Sequence, residues 1–291
     1  MNKRIIAYIS HNSSKLIIES IKRIGNSFNY FIVENGEEKS YKELSYFRKN
    51  SDFDIKVIQM KNLGFGAACN LVASLNNNCH IFYLNPDCII NNLDIKNCFE
   101  QLEKNIGSII SPIVYDGDTG NIQNLRYSWT NYWKVIPIWL NARRLLLHKK
   151  NTQKNITKPI WVAGSAFFIT SESILGVGGF DENFFLYFEE EDLFRRLYKK
   201  GIKLRIAKNS TATHYAGTST ETSKNIMREY MLISGLYYTY KWSGKKSWLV
   251  LKLFIITLIY LRLERLIMPS NDRTQLLHRI KYSNKGFQFL P

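Results

Sequence analysis

Four consecutive carboxylates, Glu189, Glu190, Glu191 and Asp192, open a helical pattern that runs through Leu193, Leu197 and Tyr198 to Gly201. Helix chemistry alone can account for such a cluster. Acids in a first turn complement the amide dipole, and Glu191 with Arg195 is a favourable i,i+4 pair. The approach to the cluster says more: Phe184 to Phe188 is aromatic and uncharged, as for acids aimed into a cleft rather than over a solvated face. A carboxylate held there can serve as a general base toward a hydroxyl. Other polar clusters invite chemistry of their own. Gly64-Phe65-Gly66 is a glycine-rich turn ahead of a helix, without the GxGxxG or Walker pattern, so it reads as a tight turn or as a nucleoside contact. Asn85-Pro86-Asp87 is good turn chemistry, and Asp87 is also a suitable oxygen ligand for a cation that bridges diphosphate oxygens. His214, in TATHYAGTS, is a structural imidazole or the partner that completes a carboxylate–imidazole metal site.

These clusters follow apolar runs. Ile5 to Ile9 leads to Ser10-His11-Asn12, and a helix follows with Leu16, Ile17, Ile21 and Ile24 at helical spacing, capped by Ser13 or Ser14. Tyr30 to Val33 ends in Glu34-Asn35-Gly36, and Ile55 to Gln59 ends in Lys61-Asn62-Leu63-Gly64. A helix is predicted over Ala67 to Leu75 with Asn70 one turn in, and His80 to Leu84 is stopped by Asn85-Pro86-Asp87. Alternating strands and helices predict an α/β fold with a mostly parallel sheet, whose ligands sit beyond the carboxyl ends of the strands. Further on, Ile109 to Val114, Trp161 to Ile169 and Lys203 to Ala207 read as strands. Asp116 to Gly120 reads as a hairpin turn, and the tail as helices over Asn225–Lys241, Lys246–Ile267 and Asp272–Ile280.

The 291 residues carry a net charge of +16. Residues 221–291 hold 12 Lys/Arg against 4 Asp/Glu, and Asn141 to Lys158 contains six basic residues and no acid. Such charge favours polyanions: nucleoside diphosphates, an anionic membrane surface or nucleic acid. The basic residues lie away from the strand ends and no nucleic-acid motif occurs, so a nucleic-acid partner is set aside. The run Trp248 to Leu261, about 14 residues long and broken by Lys252, is short of a bilayer span. Cys69, Cys79, Cys88 and Cys98 fit no zinc spacing, and no signal peptide is seen, which suggests reduced thiols in a cytoplasmic protein.

In the order NLGFGAACN, FYLNPD, WVAGSAFFI, GGFDENFFLYFEEEDLFRRL and HYAG, the chain resembles the inverting family 2 bacterial glycosyltransferases of the GT-A fold, most closely the rhamnosyltransferase branch. The resemblance covers roughly Ile5 to Ser219. It implies a GT-A domain over 1–220, with a nucleotide-binding half (1–115) and an acceptor-binding half (116–220), followed by a basic helical extension over 221–291.

By this resemblance Ser10, Glu34, Asn62, Gly64, Phe65 and Asn70 would surround the nucleoside. Glu34 stands where an Asp is usual. Asn85 would replace the first acid of the DxD motif, Asp87 and His214 would hold Mg2+ or Mn2+, and Gly164 would bring backbone close to the donor sugar. Glu190 would be the catalytic base, with Glu189, Asp192 and Trp161 supporting the acceptor or the helix start. The implied reaction moves a sugar from a nucleotide-diphosphate donor, dTDP-β-L-rhamnose favoured over a UDP-hexose or UDP-galactofuranose. The acceptor would be an undecaprenyl-diphosphate-linked saccharide in O-antigen or related polysaccharide synthesis, reached by peripheral contact with the inner face of the cell membrane.

Overall fold

The computed structural model describes residues 3–130, 159–215 and 224–243. They cluster into two compact units: one holds 3–129, 159–181 and 190–215, and the other holds 130, 182–189 and 224–243.

The first unit is built on an eight-stranded sheet. Its strands are β1 (Lys3–Ser10), β2 (Asn29–Glu34), β3 (Ile55–Gln59), β4 (Cys79–Leu84), β5 (Cys88–Ile90), β6 (Ser108–Asp116), β9 (Ala166–Thr170) and β10 (Lys203–His214), in the order β3-β2-β1-β4-β9-β6-β10-β5. A separate ribbon pairs β7 (Leu125–Arg126) with β8 (Trp161–Val162). The main sheet is parallel except for β9, which runs against β4 and β6, and β5, which runs against β10.

Period-two alternation divides the core into two layers. On one face Ile6 and Tyr8 pack with Ile17 and Ile21 of α1 (Ser14–Ile24), Leu44 of α2 (Glu38–Lys49) and Phe99 of α4 (Asn92–Lys104). On the other, Ile5 and Ala7 pack with Val72 of α3 (Phe65–Leu75), Ile174 of α5 (Ser171–Leu175) and Leu193 of α6 (Glu189–Lys199). Central β4 is buried along its whole length, as a strand covered on both faces must be. Phe82 stacks on Phe168 with centroids 3.8 Å apart in one layer, and Tyr83 stacks on Phe167 at 5.2 Å in the other. All four cysteines are buried and unbridged.

Two readings are corrected here. Trp161 to Ile169 is not one strand: the chain breaks at Ala163-Gly164-Ser165, leaving Trp161–Val162 in the small ribbon and Ala166–Thr170 in the main sheet. The strand that begins at Lys203 does not end at Ala207. After a bulge its pairing with β6 resumes at Thr211 and continues to His214. Within α6, Arg196 pairs with Asp192 at 2.8 Å, and the Arg195 guanidinium lies over the Trp129 ring.

In the second unit, α7 (Lys224–Ser243) carries the aromatic approach segment. Phe184 packs on Tyr237, Phe185 on Tyr230 and Phe188 on Tyr238, and the Ser234 hydroxyl donates to the Leu186 carbonyl. Tyr187 and Phe188 both hold left-handed backbone angles (φ 69° and 70°), each a strain of about 1–3 kcal/mol. The basic stretch 141–158 and the helices expected over 246–267 and 272–280 lie outside the described residues.

Candidate active site

The expected site residues gather at the carboxyl edge of the parallel strands. At one end, Ser10 closes β1 and Glu34 closes β2, paired in register and both fully buried. Glu34 Oε2 accepts from the hydroxyls of Ser10 (2.5 Å) and Ser40 (2.6 Å), and Oε1 accepts from the backbone N–H groups of Gly36 (2.6 Å) and Asn12 (3.2 Å). A carboxylate has about four lone-pair sites, and here all four are taken. Glu34 therefore ties two loops together and presents no unused edge to a nucleoside base.

Beside it, the Asn62 side-chain oxygen accepts from the Gly64 N–H, and Gly64 takes a φ of 102° that lets β3 turn into α3. Phe65 meets Phe180 edge to face. Asn70 makes a two-way clamp: its amide donates to the Phe180 carbonyl (2.9 Å) and its oxygen accepts from the Phe180 N–H (2.7 Å). Its amide is thus engaged in pinning the Gly178-Gly179-Phe180 turn to α3, rather than forming an open wall.

The middle of the edge holds the metal candidates. Asn85 follows β4 with its N–H on the Ser165 carbonyl, and the chain then turns through buried Asp87 into β5. His214, the last residue of β10, pairs with Cys88 and Asp116, and its Nε2 lies 3.0 Å from Asp87 Oδ1. His214 Nδ1 is 2.6 Å from Gln123 Oε1, and Gln123 Nε2 donates to Asp116 Oδ2 at 3.2 Å. The Thr119 backbone N–H and hydroxyl, with lesser help from the N–H of Asp118, hold Asp116 below the usual carboxylate range, so this acceptor is ionised at neutral pH. Among the described residues no group of three or more His, Cys, Asp or Glu converges as a metal cluster. The Asp87–His214 pair nonetheless fits a divalent cation. A carboxylate oxygen and an imidazole nitrogen 3.0 Å apart match adjacent corners of an octahedron with bonds of about 2.1 Å.

The acid cluster lies at the far end. Glu190 Oε1 accepts from the Gly164 N–H at 3.4 Å, while Oε2 is closed off from solvent without a hydrogen-bond partner among the described residues. Burial pushes the Glu190 carboxyl above its usual range, and its own N–H, that of Gly164 and the Arg126 guanidinium pull it back. Arg126 donates to the carbonyls of Gln123 (2.6 Å) and Leu125 (3.1 Å) and stacks over Trp161. Trp161 in turn donates from its indole to the Ser128 carbonyl. Gly164 thus meets the carboxylate of Glu190, and Asp192 is turned inward onto Arg196, which also caps the carbonyls of Val177 and Gly179. Glu189 is buried at the helix start.

Residues 5–177 match the family model described as Glycosyl transferase family 2. The chain belongs to that family. The chain is 24% identical over 141 residues to Rhamnosyltransferase WbbL of Escherichia coli (strain K12), a match spanning 47% of the chain and 52% of that protein. The chain thus spans about half the length of the curated relative it matches. Among solved structures, GalNAc-T7 with UDP, GalNAc and Mn2+ superposes with a TM-score of 0.61 at 15% identity, covering 84% of this chain and 49% of that one. S. aureus TarS 1-349 in complex with UDP-GlcNAc superposes at 0.54 and 11% identity, covering 81% and 65%. At these identities the likeness is one of fold, and the fold is GT-A.

Three residues of the site escaped sequence reasoning: Gln123, Asp116 as its anchor, and Arg126. Asp116 was legible as turn chemistry, and the other two carry no local signal.

Proposed function

We propose that this transferase moves L-rhamnose from dTDP-β-L-rhamnose, with inversion, onto a hydroxyl of an undecaprenyl-diphosphate-linked saccharide. The observation that carries the reading is the Glu190 carboxylate, with one oxygen anchored on Gly164 and the other enclosed and without a hydrogen-bond partner among the described residues. An oxygen in that state, on a carboxyl raised by burial, suits the removal of a proton from an acceptor hydroxyl. As Oε2 takes the proton, the hydroxyl oxygen attacks the anomeric carbon from the face opposite the leaving group. The bond from that carbon to the diphosphate breaks in the same displacement. The neighbouring Arg126 guanidinium keeps a share of Glu190 ionised, and Trp161 offers an aromatic face for a sugar ring. Asp87 and His214 would hold Mg2+ or Mn2+, which supplies charge neutralisation for the departing diphosphate.

Residues 1–220 act as the transferase domain in this reading, 1–115 on the nucleotide and 116–220 on the acceptor. The basic extension 221–291 docks on the anionic inner face of the cell membrane. Among the described residues no helix is long and apolar enough to cross a membrane. The rhamnosyl donor is supported by the likeness to WbbL. A UDP-hexose or UDP-galactofuranose donor is the second reading, favoured by the UDP and UDP-GlcNAc bound to proteins of the same fold.

Donor hydrolysis and thermal protection test the reading, measured with dTDP-rhamnose, UDP-glucose, UDP-galactose, UDP-galactofuranose and UDP-N-acetylglucosamine, each with Mn2+ and with EDTA. The expected result is metal-dependent selection of dTDP-rhamnose, with Glu190→Gln binding the donor normally and turning over 10²–10⁴-fold more slowly. Selection of a UDP-sugar replaces the donor, and an active Glu190→Gln removes the base.

A further inference from the structure

We propose that Gln123, anchored by Asp116, sets the tautomer of His214 and so keeps its Nε2 lone pair available to a divalent cation beside Asp87. The inference rests on the cation reading above and adds two positioning residues to it. The chain of contacts is Asp116 Oδ2 to Gln123 Nε2 (3.2 Å), Gln123 Oε1 to His214 Nδ1 (2.6 Å) and His214 Nε2 to Asp87 Oδ1 (3.0 Å).

Directionality follows from chemistry. An ionised carboxylate only accepts, so Gln123 must turn its NH2 toward Asp116, which leaves its carbonyl oxygen facing His214. A carbonyl also only accepts, so the imidazole proton sits on Nδ1. In the neutral ring Nε2 is then a bare lone pair facing a carboxylate oxygen. Two acceptors at 3.0 Å repel unless a proton or a metal cation lies between them, and a divalent cation is the species that leaves the ring neutral. The alternative tautomer, with its proton on Nε2, would give that proton to Asp87 and close the site.

The backbone holds the chain of contacts in register. The Gly117 N–H donates to the His214 carbonyl and the Tyr215 N–H to the Asp87 carbonyl, each at 3.0 Å. The Tyr215 ring fills the space beside Gly117, where an added Cβ would come within 2.4 Å of it. The turn Asp116 to Gly120 thus orients a ligand, a task that turn formation alone does not require.

The test uses the full chain with 15N-labelled histidine, five residues in all, and long-range proton–nitrogen spectra at pH 8.5. Titration of Mn2+ by electron paramagnetic resonance, alone and with dTDP or UDP, is the second readout. Wild-type His214 should carry its proton on Nδ1. In Gln123→Ala the proton should move to Nε2 and Mn2+ should bind 10–100-fold more weakly, the usual loss when a ligand's orienting partner is removed. The double variant Gln123→Glu with Asp116→Asn, which exchanges donor and acceptor between the two positions and leaves a carboxylate oxygen to accept from Nδ1, should keep both properties. Asp116→Asn should give mixed tautomers and a smaller loss. A wild-type proton on Nε2, or unchanged tautomer and Mn2+ binding in Gln123→Ala, overturns the proposal. If Gln123→Ala does not fold, the double variant with Nε2 protonated overturns it equally. Expected tautomers without Mn2+ binding in the wild type would instead sink the cation reading, and the role proposed for Gln123 with it.

Discussion

Glu34 and Glu190 are the same side chain at the same edge of the sheet, in opposite circumstances. Glu34 is fully buried and accepts from two hydroxyls and two backbone N–H groups, so each lone pair has a partner. Glu190 has one long contact to Gly164 and one enclosed oxygen with no partner among the described residues. A saturated carboxylate is a structural tie, because moving any proton to it would break a bond already made. An unsaturated one is held at a cost in solvation, and that cost is recovered when a proton arrives. The comparison also separates the glycines nearby. A Cβ on Gly36 would lie 2.3 Å from Asn12 Oδ1 and 2.7 Å from Glu34 Oε1, whereas one on Gly164 would meet Glu190 at an ordinary 3.6 Å. A methyl on Gly36 would intrude on a filled network, whereas one on Gly164 would meet only ordinary contacts.

Breaking the saturated site should cost the most stability. Glu34→Ala strands two hydroxyls and two N–H groups, a loss of about 3 kcal/mol, or a Tm fall of roughly 6–12 °C by calorimetry. A fall under about 2 °C would refute the assignment of Glu34 as a tie. Gly36→Ala forces its Cβ into the same network and should cost about 1–3 kcal/mol, read as a lower urea midpoint at unchanged m-value. A wild-type midpoint would mean the loops yield freely.

At the unsaturated site the sign reverses. Burial raises the folded carboxyl above its unfolded value, so Glu190 is stabilising in its protonated form and that contribution is lost as pH rises through the folded value. Glu190→Gln should therefore have a Tm at or above wild type at pH 8, with the gap closing toward pH 4. The acid limb of wild-type donor hydrolysis should also lie above the ordinary glutamate value of about 4.3. A limb at or below that value would separate Glu190 from proton removal. Gly164→Ala should change least, within about 0.5 kcal/mol by denaturant unfolding, because the added methyl meets only ordinary contacts and the N–H survives.

Much of the scaffold was legible in the chain itself. Apolar runs ending in polar clusters marked β1 to β4, and their ends marked the ligand edge, because local hydrophobic period and turn chemistry act over a few residues. Some of what was missed was present all the same: α4 has Ile95, Cys98, Phe99 and Leu102 at helical spacing and an Asn91 cap. Helix α2 was harder, since it buries only Ser40 and Leu44. The sequence by itself determined the two-layered α/β plan, the order of the polar clusters and the acid-rich start of α6. Tertiary structure alone decided which of those polar groups are already spent. Asn70 meets Phe180 across 110 residues, His214 meets Gln123 across 91 and Asp87 across 127. Those pairings depend on which strands become neighbours, a choice made by burial over the whole sheet, and no residue type announces its distant partner.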